Sequence, residues 1–177
     1  QIIGSNPYSF LANIVAEQKA RLFAEMSRET FNNPNTAIIY GDAVRDSILA
    51  WEYKRLIEQD SFEVVWMEKI PSREARSLFQ QLTEEVGEDT LKMCPDSLGH
   101  MLVASTNRLL ASAAISGVDA RPDTIPVLGF MDWVDIKSMR FDQLERANAF
   151  LLVSNYLPRN TERYEEFVSA YQEKYEE

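Results

Sequence analysis

A chain of 177 residues, 45% of them hydrophobic and including nine Phe, seven Tyr and three Trp, can bury one full core without metal or disulfide staples, and wholesale disorder is excluded. The formal net charge of -10, with the basic residues scattered rather than massed, would repel a phosphate backbone and excludes nucleic acid as a partner. No run approaches the roughly 18 to 20 apolar residues of a membrane span, and the lone Cys94 can form no internal disulfide and has no metal-ligand spacing around it, so neither membrane insertion nor a structural metal is expected.

In chain order, the first periodic segment follows Asn6-Pro7. Phe10, Leu11, Ile14, Val15, Leu22, Phe23 and Met26 recur at helical spacing among Glu17, Lys19, Arg21 and Glu25, and Asn32-Asn33-Pro34-Asn35 stops them. Thr36–Tyr40 is a short apolar run ended by Gly41-Asp42, the pattern of a strand buried on both faces of a parallel sheet. Asp46–Ile57 predicts an amphipathic helix, Phe62–Met67 a second strand rich in β-branched and aromatic residues, and Ala75, Leu78, Phe79 and Leu82 a third helix after Pro71-Ser72. Val86–Ser97 is polar and reads as a surface loop. His100–Ala104 is a third strand, Ser105-Thr106-Asn107 a cap, and Leu109–Ile115 a helix ended by Gly117. Ile125–Gly129 and Ala149–Val153 are the fourth and fifth strands, with Pro126 tolerated early in the fourth, and a final helix from Thr161 carries Tyr164, Phe167, Val168 and Tyr171.

Strands alternating with helices at this spacing predict an α/β, three-layer, doubly wound domain with a mostly parallel sheet, in which ligands meet the carboxyl ends of the strands. The residues there are Gly41 to Arg45 after the first strand, Ser105, Thr106 and Asn107 after the third, Phe130, Met131, Asp132 and Trp133 after the fourth, and Ser154, Asn155 and Tyr156 after the fifth. Their hydroxyls, amides and charges suit hydrogen bonding to a small polar solute or a partner's loop, with Trp133 and Tyr156 as stacking faces. Asp42 and Arg45 read equally as a helix start, Asp46 reads first as one, and Ser105-Thr106-Asn107 reads equally as a cap cluster. Asp132-Trp133 has no capping or periodic explanation. Trp51 and Trp66 fall inside periodic segments and are assigned to the core, and Met67, Met93, Met101 and Met139 to packing. Neither G-x-G-x-x-G nor a P-loop occurs, and no carboxylate pair, metal cluster or nucleophile-base pair stands out. The single histidine, His100, opens an apolar strand, so neither a cofactor nor an enzyme activity is expected.

Several stretches come in a familiar order. They are Ser5-Asn6-Pro7-Tyr8, Ala37 to Tyr40 with Gly41-Asp42, the His100 to Asn107 strand and cap, Ile125 to Gly129 ahead of Trp133, and Asn155-Tyr156 ahead of Phe167, Tyr171 and Tyr175. That order resembles the second lobe of the leucine/isoleucine/valine-binding, type I periplasmic binding protein family, over nearly the whole chain. The resemblance implies that residues 1–177 are one lobe excised from a two-lobed protein. Its halves would close on a small polar or amino-acid-like solute and deliver it to an ABC transporter permease from the periplasmic or extracytoplasmic side, where the full-length protein is compatible with a lipid anchor. It sets the family's aromatic contacts near Arg45 and near Thr106 or Asn107, and its acid near Asp132, the one position that keeps the expected character. The expected ligand-binding set is Asp42, Arg45, Ser105, Thr106, Asn107, Asp132 and Trp133. The alternative implied by the same resemblance is an envelope scaffold or regulator similar to the penicillin-binding-protein activators, which bulky side chains filling the cleft floor would favour.

Overall fold

The computed structural model describes residues 15–84, 98–121 and 125–153, together with Ser169, which is helical and exposed. The readings made for Phe10–Ile14, Val86–Ser97, Ser154–Tyr156 and the remainder of the helix from Thr161 lie outside the described residues. In chain order the elements are α1 (Ala16–Thr30), β1 (Asn35–Tyr40), α2 (Val44–Ile57), β2 (Glu63–Lys69), α3 (Ala75–Thr83), β3 (His100–Ala104), α4 (Arg108–Asp119), β4 (Val127–Phe130), α5 (Phe141–Arg146) and β5 (Ala149–Leu152).

The five strands form one wholly parallel sheet in the order β2-β1-β3-β4-β5, with Ile38 of β1 beside Met67 of β2 and Leu102 of β3. The chain leaves β1 to one side for β2, then crosses back past β1 to β3. Right-handed crossovers therefore place α2 on one face and α3 and α4 on the other. α1 packs beside α2, and α3 beside α4, so the sheet is covered by two helical layers as the alternating pattern predicts.

Each element follows from its residues. β1, β3 and β4 are inner strands and bury Ile38, Ile39, Leu102, Val103, Val127 and Leu128 completely, which is why their sequences are continuous apolar runs rather than alternating ones. α1 turns Ala20, Phe23, Ala24 and Ser27 inward at helical spacing and stops at Thr30, ahead of Pro34, which has no N–H to continue it.

Several boundaries depart from the sequence reading. Gly117 does not end its helix. It lies inside α4, where a Cβ would stand 2.8 Å from Leu82 Cδ1, so the missing side chain lets α4 approach α3. β4 begins at Val127, and Pro126 stays outside it, its carbonyl accepting from the Met101 N–H at 2.8 Å. α5 and the single-turn helix Met131–Asp135 were not anticipated, because each is too short to show a period; α5 buries only Leu144. Trp51 is 56% exposed and lies outside the core to which it was assigned, whereas Trp66 is partly buried against it. Met101 is fully buried and Met67 and Met139 pack against the core, as expected.

At the amino edge of the sheet, His100 opens β3 and is fully buried. Its Nε2 lies 2.7 Å from Tyr53 Oη, which lies 2.8 Å from Ser27 Oγ, and the Ser27 hydroxyl donates to the Phe23 carbonyl at 2.8 Å. With that proton committed, the Tyr53 hydroxyl donates to Ser27 and the His100 Nε2–H donates to Tyr53, which leaves the lone pair of a neutral imidazole on Nδ1. Nδ1 has no partner among the described residues, and Phe31 stacks on the ring at 4.4 Å. Burial pushes the Tyr53 phenol up to about 12 and the imidazole down to about 3.

Candidate functional site

β1 and β3 are neighbours, yet the chain leaves their carboxyl ends toward opposite faces, and the diverging loops open a crevice between them. A depression of about 440 Å³ lies there. Asp42, Ala43, Arg45 and Asp46 line it from β1, Ser72 from the segment after β2, and Ser105, Thr106, Asn107 and Arg108 from β3.

Its floor is a buried polar pair. Asp46 is 6% and Ser105 1% exposed; the Ser105 hydroxyl donates to Asp46 Oδ2 at 2.6 Å and accepts from the Asn107 N–H at 3.1 Å. Gly41 makes room for the pair, since a Cβ there would stand 2.7 Å from Asp46 Oδ2 and 2.9 Å from Ser105 Oγ. Burial raises the Asp46 carboxyl above the ordinary carboxylate range, and the Ser105 hydroxyl and the positive charge of Arg45 offset part of that rise.

The walls are tied to one another. Asp42 Oδ2 accepts from the Ser72 N–H at 3.0 Å, which fixes the segment after β2 against the end of β1. Across the mouth, Arg45 Nη2 donates to Thr106 Oγ1 at 2.9 Å while most of the Arg45 side chain stays open to solvent. Asn107 Oδ1 is committed to α4, accepting from the N–H groups of Leu109 and Leu110 at 3.0 and 3.2 Å. α2 has Ala43 at its start and no side-chain cap, so its first-turn N–H groups have no side-chain acceptor there, while the Asp46 N–H donates to the Ala43 carbonyl at 2.9 Å. Two guanidinium groups, a hydroxyl and these amides suit the oxygens of a small acidic group. They do not make a hydrolytic triad: His100 sits five residues back along β3 from Ser105, roughly 16 Å at strand rise.

The structure thus gathers Asp42, Arg45, Ser105, Thr106 and Asn107, and leaves Asp132 and Trp133 outside the depression. Trp133 is fully buried, its ring filling the space over Gly129, where a Cβ would stand 2.1 Å from Cη2. Its indole N–H donates to the Ser105 carbonyl at 3.2 Å, so it braces the Ser105 loop from behind and shows no face for stacking. A buried anchor with a polar tip is the explanation that periodicity could not supply. Asp46, Ser72 and Arg108 line the depression without having been selected. Ser72 could have been found by extending the strand-end search to the second strand, and Arg108 as the first residue of the helix after the third.

The wholly parallel five-stranded layer, with its crevice at the β1/β3 switch point, is a doubly wound fold that solved structures share over nearly the whole of this chain. A protein assigned as a branched-chain amino acid ABC transporter from Silicibacter pomeroyi matches with a TM-score of 0.57 at 13% identity, over 95% of this chain and 42% of its own. A second so assigned, from Rhodospirillum rubrum, gives 0.55 at 17% identity over 93% and 44%, and an extracellular ligand-binding receptor from Verminephrobacter eiseniae gives 0.53 at 12% identity over 96% and 46%. The chain spans less than half the length of each. No protein-family model matches the sequence, and no curated protein sequence does either.

Proposed function

We propose that residues 1–177 form one lobe of an extracytoplasmic solute-binding protein, not an enzyme, which presents a small polar or amino-acid-like ligand to an ABC transporter permease. The observation that carries this reading is the open depression at the switch point, where Arg45 and Thr106 bridge the mouth above the Asp46-Ser105 floor. The ligand's acidic group would sit against Arg45, Arg108 and Thr106, and a second lobe closing from above would supply the rest of the contact. A floor of small polar side chains supports a solute rather than the scaffold role, which bulky side chains would have favoured. Among the described residues no helix is long and apolar enough to cross a membrane.

Isothermal titration of the protein against the free amino acids and small dicarboxylic acids tests this. Saturable binding is expected, weakened about 10- to 100-fold by Arg45→Ala, since a hydrogen bond to a charged group is lost. Asp132→Ala should leave affinity within about twofold, because surface positions away from the contact change little. Silence across the panel, or full affinity in Arg45→Ala, would overturn the proposal.

A further inference from the structure

The depression sets Arg45 and Arg108 against Asp42 and Asp46, and the two carboxylates are held differently. Asp42 is exposed at the rim, where water solvates its charge. Asp46 lies on the floor, shut off from solvent, with Oδ2 accepting from the Ser105 hydroxyl and Oδ1 3.8 Å from Arg45 Nε. Arg45 makes its hydrogen bond to Thr106 Oγ1 instead, so the buried carboxylate has no cation bonded to it. Burial, and to a smaller degree the Asp42 charge, favours the protonated form of Asp46 against the pull of Ser105 and Arg45. With Asp46 ionised, the two guanidinium groups and the two carboxylates cancel; with Asp46 protonated, a single positive charge remains.

We propose that the depression binds an acidic solute together with one proton, and that Asp46 carries the proton. This rests on the reading of the depression as the solute site. An oxyanion against Arg45 and Thr106 brings negative charge above the floor and draws the field of Arg45 away from Asp46, and both effects raise the proton affinity of the carboxyl. The coupling is reciprocal, so the proton strengthens anion binding by the same factor. Affinity therefore rises as pH falls through the range between the ligand-free and ligand-bound titrations of Asp46, by no more than about tenfold per pH unit for one proton. Nothing packed on Asp46 from the other elements competes for this role. α1 turns only Ala20, Phe23, Ala24 and Ser27 inward, β3 presents the Ser105 hydroxyl, and His100, at the amino edge of β3, stays neutral down to about 3.

Sulfate, an oxyanion that does not itself titrate near neutrality, is the probe, added at constant ionic strength while the backbone amide NMR shifts of Thr106 and Asn107 report occupancy. The wild type is expected to bind it about five- to tenfold more tightly at about pH 5 than at about pH 8. Asp46→Asn, a neutral side chain of the same shape, should bind at every pH as the wild type does at the acid end. Asp132→Asn makes the same charge change on an exposed residue outside the depression and should keep the wild-type slope. A wild-type affinity indifferent to pH overturns the proposal, and so does a slope that survives in the Asp46→Asn protein. If sulfate binds at no pH in this range the proposal falls too, and titration with the amino acids and dicarboxylic acids decides separately whether the solute reading falls with it.

Discussion

His100 makes acid sensitivity a specific expectation. In the folded chain its imidazole is fully buried, its Nε2–H is committed to Tyr53, and burial lowers it from the ordinary 6.5 to about 3. Between those values the unfolded chain binds a proton that the folded chain refuses, so stability rises with pH; the contribution is complete above about pH 6.5 and is lost as pH falls toward about 3. One proton corresponds to about 1.4 kcal/mol per pH unit, and the full window to about 5 kcal/mol, comparable with the whole stability of a small domain. Urea unfolding of the wild type and of His100→Gln, followed by tryptophan fluorescence at several pH values from 4 to 7, isolates the term. Glutamine keeps a donor toward Tyr53 without a titrating ring. The wild type should lose stability on acidification more steeply than the variant, by roughly one proton's slope. Parallel curves for the two proteins would refute the buried neutral histidine.

Two further substitutions probe the site and its support. Gly129→Ala forces a methyl into the Trp133 ring and should cost about 2–4 kcal/mol, partly recovered when Trp133→Leu is added; an urea midpoint unchanged in the single variant would show that the ring does not fill that space. Asp46→Asn keeps an acceptor for the Ser105 hydroxyl while removing a buried charge whose raised pKa makes stability fall as pH rises through the carboxylate range. It should therefore unfold at neutral pH within about 1 kcal/mol of the wild type, whereas Asp46→Ala, which strands the Ser105 hydroxyl, should lose about 1–3 kcal/mol. Equal losses in the two variants would mean that the charge itself, not the hydrogen bond, holds the floor.

What the sequence determined was local. Thr36–Tyr40 and His100–Ala104 announce inner strands because a strand covered on both faces reads as a near-continuous apolar run, here broken only at the opening Thr36 and His100. The polar residues immediately after them, Asp42, Arg45 and Ser105 to Asn107, could be picked out as the ends where a parallel sheet meets its ligands. Short or cooperative features escaped: α5 has too few residues for a period, and Gly117 looked like a helix stop because its contact partner, Leu82, lies on another helix. The two tryptophans show the limit most clearly. Trp51 sits in a helical period and Trp133 in a polar turn, so local pattern sends the first to the core and the second to a ligand. The fold reverses both: Gly129 opens a gap that Trp133 fills, and Trp51 falls on the side of α2 that the sheet does not cover. Strand order, too, belonged to tertiary structure alone. Only the crossover from β2 past β1 to β3 brings Arg45 within 2.9 Å of Thr106, 61 residues away in sequence. Periodicity reports which side of an element is apolar; what covers that side, and which strand ends stand together, is decided when the elements pack.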